Sequence, residues 1–148
     1  MTPILIDTNL LIYLYDQNSP VKQDKSMVVL SQLESMGTGR LSVLNLAEFF
    51  CVSTKKLTPP LSSEEALDQV NLFTRAWPVF DLTTLIVLEA ARGVRDYQIS
   101  FFDAQIWATA RLNQVPIIFS EDFNVGSMLE GVQFVNPYAP EFRLDAWV

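Results

Sequence analysis

The pattern of apolar and polar positions changes period repeatedly along the chain. Ile4-Leu5-Ile6 is a short apolar run between Pro3 and the polar triplet Asp7-Thr8-Asn9, the signature of a strand buried on both faces. Leu10, Leu11, Leu14 and Tyr15 then recur at helical spacing and predict a helix from Leu10 to Asp16, broken at Asn18-Ser19-Pro20. A second helix over 21–36 places Val21, Val28, Val29, Leu33 and Met36 along an apolar face, and Gly37-Thr38-Gly39 ends it. Arg40-Leu41-Ser42 predicts a short strand, followed by a helix over 43–57 that stops before Pro59-Pro60. Ser62-Ser63-Glu64-Glu65 opens a capped helix running to Ala76. Val79–Leu82 is a brief strand, and helices follow over 84–96 and 101–113, with Ser100 placed three residues before Asp103 to cap the second. Pro116–Ser120 is the clearest strand after the first. A short helix and a last strand, Val132–Val135, close the set before Asn136-Pro137.

Strands alternating with helices predict an α/β fold, a three-layer α/β/α arrangement around a central parallel sheet. The 148 residues hold no internal repeat, low-complexity stretch or long linker, so one domain over 1–148 is expected. A hydrophobic fraction of 49% against 18% charged residues excludes intrinsic disorder. In such a sheet, ligands sit beyond the carboxyl ends of the strands, where strand order reverses. The polar residues that directly follow strands therefore become the ones to inspect.

Composition narrows the chemistry. There is no histidine, which excludes Ser-His-Asp and Cys-His arrangements and any imidazole acid–base step. The single cysteine, Cys51, forms no internal disulfide and agrees with a reducing cytoplasm. The apolar start contains Asp7 and Asn9 and lacks a basic leader, so it does not read as a signal peptide, and no stretch is long enough to span a membrane. A cytoplasmic protein is expected. Any catalysis must use carboxylates, hydroxyls, Lys/Arg or metal.

Four acids stand out by position. Asp7 directly follows the first strand, and Asp122 lies just past the strand centred on Ile117–Phe119. Glu48 lies one turn beyond Asn45 on the same helix face, and Asp103 opens the helix that begins at Phe101. Their neighbours are apolar: Leu5-Ile6 before Asp7, Leu46-Ala47 and Phe49-Phe50 around Glu48, Phe101-Phe102 before Asp103. Charge on such a background is costly unless paired or metal-bound, and converging carboxylates repel without a cation. Each acid also has a plainer reading. Asp7 suits the N-cap of the following helix, Asp103 a capping carboxylate, and Asp122 a turn. Glu48 is the hardest to explain that way, because it interrupts an apolar helical face.

The segments Ile4-Leu5-Ile6-Asp7-Thr8-Asn9-Leu10-Leu11, Leu41-Ser42-Val43-Leu44-Asn45-Leu46-Ala47-Glu48-Phe49, Ser100-Phe101-Phe102-Asp103-Ala104-Gln105-Ile106, Ile118-Phe119-Ser120-Glu121-Asp122-Phe123 and Val135-Asn136-Pro137 together resemble a PIN domain. This is the ribonuclease fold found in bacterial toxins of the VapC type. The likeness covers essentially the whole chain, with the acids in family order. It implies an endoribonuclease dependent on Mg²⁺ or Mn²⁺, with Asp7, Glu48, Asp103 and Asp122 as the acidic quartet that holds metal. Ser120 matches the hydroxyl position supporting Asp7, and Asn45 a polar position behind the acids. The resemblance also implies cleavage leaving a 5′-phosphate and an antitoxin partner; a homodimer is expected from the apolar and aromatic surplus of the chain.

The charge balance bears on that expectation. Ten Lys+Arg against 17 Asp+Glu give a net charge of −7, opposite to the basic balance of most nucleic-acid binders. Two divalent cations would offset more than half of it, and an acidic chain suits a partner with a basic segment. Arg40, Lys55, Lys56, Arg92, Arg95 and Arg111 are the candidates to line an RNA groove, although scattered Lys/Arg are commonly solvated surface. Phe73 and Trp77 read first as core and second as a partner surface.

Other classes fit less well. An Asp-based, Mg²⁺-dependent phosphatase needs a second acid two residues after Asp7, where Asn9 stands. A phospho-accepting receiver wants a Lys after a late strand, and none follows Lys56. A P-loop is excluded because Val132 follows Gly131 where Lys is required. A PIN-like binding module with a degenerate site is the non-enzymatic alternative.

Overall fold

The computed structural model describes residues 1–123 and 126–148. Among them, strands β1 (Ile4–Ile6), β2 (Gly39–Ser42), β3 (Val79–Phe80), β4 (Ile117–Phe119), β5 (Met128–Leu129) and β6 (Val132–Val135) form one sheet in the order β3-β2-β1-β4-β6-β5. The helices are α1 (Thr8–Tyr13), α2 (Pro20–Met36), α3 (Val43–Lys55), α4 (Ser63–Ala76), α5 (Thr84–Tyr97) and α6 (Phe101–Leu112). All pairings are parallel except β5 with β6.

Alternation along the central strands builds the three layers. Ile4 and Ile6 face a core of Leu10, Leu11, Leu33, Phe49, Phe73 and Trp77, contributed by α1 to α4 and the exit of α4. Leu5, one residue out of phase, faces Ile86, Ala90 and Trp107 from α5 and α6. All three strand residues are fully buried, which is why β1 reads as an unbroken apolar run. Phe73 and Trp77 stack with ring centroids 6.2 Å apart inside the first core. Gly39 on β2 makes room for that indole, since a Cβ there would fall 2.4 Å from Trp77 Cδ1. Phe142, Leu144, Trp147 and Val148 of the C-terminal segment pack on the same core.

Three expectations are corrected. The first helix starts at Thr8 rather than Leu10, because the Asp7 carboxylate accepts the Thr8 N–H as an N-cap. The third strand is two residues long, matching Leu41 and Ser42 on β2 before α3 begins. The predicted three-layer fold with a central parallel sheet is present, but where a short helix was expected between β4 and the last strand, residues 121–123 bend and Met128–Leu129 pairs antiparallel with β6. Glu130 (φ 49°) and Gly131 (φ 85°) form the two-residue connection, in the left-handed geometry that hairpin turns demand. The part of that expected helix at 124–125 lies outside the described residues. Among the described residues, no helix is long and apolar enough to cross a membrane.

Candidate functional site

β1 and β4 lie side by side at the centre of the sheet, with Ile6 in register with Phe119. The chain leaves β1 towards β2 on one side, and β4 lies on the other, so strand order reverses between them. Asp7 and Ser120 are the next residues on each strand and emerge together at this switch point. Asp7 N–H donates to Phe119 O at 3.0 Å. Its carboxylate accepts from Thr8 N–H at 2.8 Å and from the Ser120 hydroxyl at 2.7 Å.

Asp7 is 2% exposed. Burial raises its pKa from the ordinary 3.8 to about 7; the Ser120 and Thr8 hydrogen bonds oppose the rise, and the charges of Asp122 and Glu48 add to it. No ion pair among the described residues offsets this carboxylate.

The other three acids reach the same edge by different routes. Asp122 sits in the bend after β4, its N–H donating to Ser120 Oγ at 3.1 Å and its carboxylate accepting from Asn9 Nδ2 at 3.1 Å. Asp103 lies in the first turn of α6, which Ser100 caps through the Asp103 N–H. Burial pushes the half-buried Asp103 carboxyl upward, a Ser100 hydrogen bond opposes this, and the Asp122 charge reinforces it. Glu48 lies in the second turn of α3, partly exposed and close enough to act electrostatically on Asp7. Asn45, fully buried, completes the α3 capping box with Ser42 and donates to Thr8 Oγ1 at 3.1 Å, tying α3 to α1.

The electrostatic links thus run Glu48 to Asp7, Asp7 to Asp122 and Asp122 to Asp103. Among the described residues, no three acidic side chains close on one point tightly enough to wrap an ion. The donor set nonetheless fits a hard divalent cation held by one or two carboxylates and water, which is the usual Mg²⁺ arrangement. Among the described residues the four acids offer only carboxylate oxygens and have no ion-pair partner, and the buried Asn9 Oδ1 has no hydrogen-bond partner.

Sequence reasoning missed several participants. Asn9, two residues after Asp7, bridges Asp122 and Ser120 through Nδ2, at 3.1 Å and 3.4 Å. Its position in the first turn of the helix capped by Asp7 was the available signal. Tyr13, Lys22 and Glu121 meet beside Asp122, with Lys22 Nζ 2.7 Å from Glu121 Oε2; nothing in their spacing marks this meeting. Most of the basic residues weighed as groove candidates against plain surface are engaged elsewhere. Arg92 pairs with Glu89 at 2.5 Å and Glu130 at 2.8 Å, Arg111 pairs with Glu89 at 2.5 Å, and Arg40 donates to Gly37 and Gly39 carbonyls.

The PIN domain model matches residues 4–127, most of the chain. Solved structures share the shape at low identity. A toxin–antitoxin complex from Klebsiella pneumoniae superposes with a TM-score of 0.66 at 18% identity, covering 91% of this chain and 98% of that one. DNA-bound VapBC from Salmonella typhimurium gives 0.66 at 18% identity, covering 93% and 99%. VapC20 of Mycobacterium tuberculosis, described as a sarcin-ricin loop cleaving toxin, gives 0.63 at 16% identity, covering 86% and 97%. No curated protein matches the chain in sequence at significance.

Proposed function

Because the chain belongs to the PIN domain family, we propose that its carboxylate edge is the active centre of a divalent-metal-dependent endoribonuclease, the toxin of a toxin–antitoxin pair. The observation that carries this reading is Asp7. A carboxylate 2% exposed, at a strand switch point, with Asp122 and Glu48 acting on it and no cationic side chain paired with it among the described residues, is an arrangement that a bound cation resolves.

In this reading Asp7 and Asp103 hold Mg²⁺ or Mn²⁺, and Glu48 and Asp122 complete that set or hold a second ion arriving with the substrate phosphate. When bound, the metal supplies positive charge against the phosphate oxygens and acidifies water. The rest falls to the chain. Ser120 and the Thr8 N–H fix both Asp7 oxygens, leaving the carboxylate one orientation. Asn9 orients Asp122, and Asn45 holds α3, and with it Glu48, against α1. With no histidine in the chain, a carboxylate at this edge accepts the proton from the attacking water. Water oxygen bonds to phosphorus as the bond to the 3′-oxygen breaks, leaving a 5′-phosphate without using the RNA 2′-hydroxyl.

The partners follow from surface and charge. The net charge of −7 suits an antitoxin with a basic segment. Leu85 and Leu88, 70% and 62% exposed on α5, form an apolar face suited to a second copy of the chain.

The test is cleavage of RNA by the parent protein, with EDTA and with Asp7→Asn and Asp103→Asn. Loss of cleavage in all three arms supports the proposal. Equal cleavage in variants and parent sinks it, and metal binding without cleavage of varied RNAs favours the binding-module reading.

A further inference from the structure

Asp122 is the most exposed of the four acids and stands in a bend rather than in a helix or strand, so something must hold it. Among the described residues its bonds are the Ser120 hydroxyl on its N–H and the Asn9 amide on its carboxylate. The residue before it carries a denser set of contacts. Glu121 accepts from the Tyr13 hydroxyl on α1 through one carboxylate oxygen, and from Lys22 Nζ on α2 at 2.7 Å through the other. Lys22 also donates to Tyr13 Oη at 3.2 Å, which closes a triangle.

The triangle is itself braced. Lys22 Nζ stands 4.9 Å from the Tyr13 ring centroid and 5.7 Å from that of Tyr138. Tyr13 and Tyr138 meet edge to face at 5.1 Å, and the Tyr138 hydroxyl lies 2.5 Å from Ser26 Oγ on α2. Glu121 is thereby fastened to two helices and to the segment after β6.

We propose that Lys22, Tyr13 and Glu121 form a clamp that positions Asp122 for metal, with Lys22 as its charged closure. The proposal rests on the reading of the carboxylate edge as a metal centre. A partly exposed ion pair contributes little to stability. The consequence of this pair is therefore orientation and charge. Glu121 would otherwise add an uncompensated negative charge next to Asp122, and its release would free the bend to turn Asp122 outward. Lys22 and Tyr13 touch neither metal nor substrate in this account; they are positioning residues.

The experiment compares the full-length parent with Lys22→Met, Lys22→Arg and Tyr13→Phe. Mn²⁺ affinity is measured by isothermal titration, and hydrogen exchange of the Asp122 amide is measured in EDTA. The clamp predicts about tenfold weaker Mn²⁺ binding for Lys22→Met, as for loss of other outer supports of metal ligands. It also predicts faster Asp122 exchange in the metal-free protein and recovery of both properties in Lys22→Arg. Tyr13→Phe should move both in the same direction. Parent-like affinity and exchange in Lys22→Met and Tyr13→Phe, while Asp7→Asn still abolishes Mn²⁺ binding, overturns the clamp alone. Failure of the parent itself to bind Mn²⁺ overturns the metal reading and the clamp with it.

Discussion

The Ser120 hydroxyl donates to the Asp7 carboxylate at 2.7 Å, joining the carboxyl ends of two adjacent parallel strands across 113 residues of sequence. This bond works against the burial of Asp7, because it stabilises the charged form of a side chain that has almost no contact with water. Ser120 also accepts the Asp122 N–H, so one hydroxyl sets two of the four acids.

Ser120→Ala should therefore remove a donor from a buried carboxylate. The expected cost is about 1–3 kcal/mol of stability at neutral pH, read by urea denaturation. The Asp7 carboxyl should also retain its proton to higher pH than in the parent, which NMR titration of its side chain would show.

Asp7 makes stability depend on pH with a definite sign. Its pKa is raised in the fold, from 3.8 to about 7, so the native state binds more protons than the unfolded chain between those values. Stability of the metal-free protein should fall as pH rises through that window and level off above it. It carries no penalty from Asp7 below the unfolded value. The shift corresponds to about 4 kcal/mol at full deprotonation. Asp7→Asn should raise the melting temperature in EDTA at pH 8 and leave it nearly unchanged near pH 4. Mn²⁺ should raise the parent's melting temperature at pH 8 far more than that of Asp7→Asn.

Packing between α5 and α6 offers a test away from the acids. Gly93 lies against the Trp107 ring, and a Cβ there would fall 2.7 Å from Cζ3. Alanine gains about 1 kcal/mol of helix propensity over glycine, but the clash in this core costs about 1–3 kcal/mol. Gly93→Ala should come out destabilising by thermal denaturation, against the propensity rule.

The strands β1 and β4 were legible because both faces are buried and their residues are uniformly apolar, as in Ile4-Leu5-Ile6 and Ile117-Ile118-Phe119. Helix starts were legible where a Ser caps, as at Ser62 and Ser100. The β5–β6 hairpin was not. Glu130 adopts a positive φ that its residue type does not announce, and a strand of two residues carries no periodicity. The acids were visible as charges on apolar ground, but their partners depend on chain segments brought together only by folding. Asn9 meets Asp122 across 113 positions, and Lys22 meets Glu121 across 99. The scattered basic residues form no stripe in the sequence, and their spacing does not say which acids they meet. Arg92 and Arg111 converge on Glu89 and Glu130.

On the proposed reading, acids distant in sequence share a cation at the carboxyl edge of the sheet. Crystals of the full chain soaked in Mn²⁺ at pH 7.5, with diffraction collected at the manganese absorption edge, test it directly. The expected result is an anomalous peak within bonding distance of an Asp7 oxygen, with Asp103 or Asp122 as a further direct or water-bridged ligand. Density for all four acids at saturating Mn²⁺, with no anomalous peak among them, would contradict it.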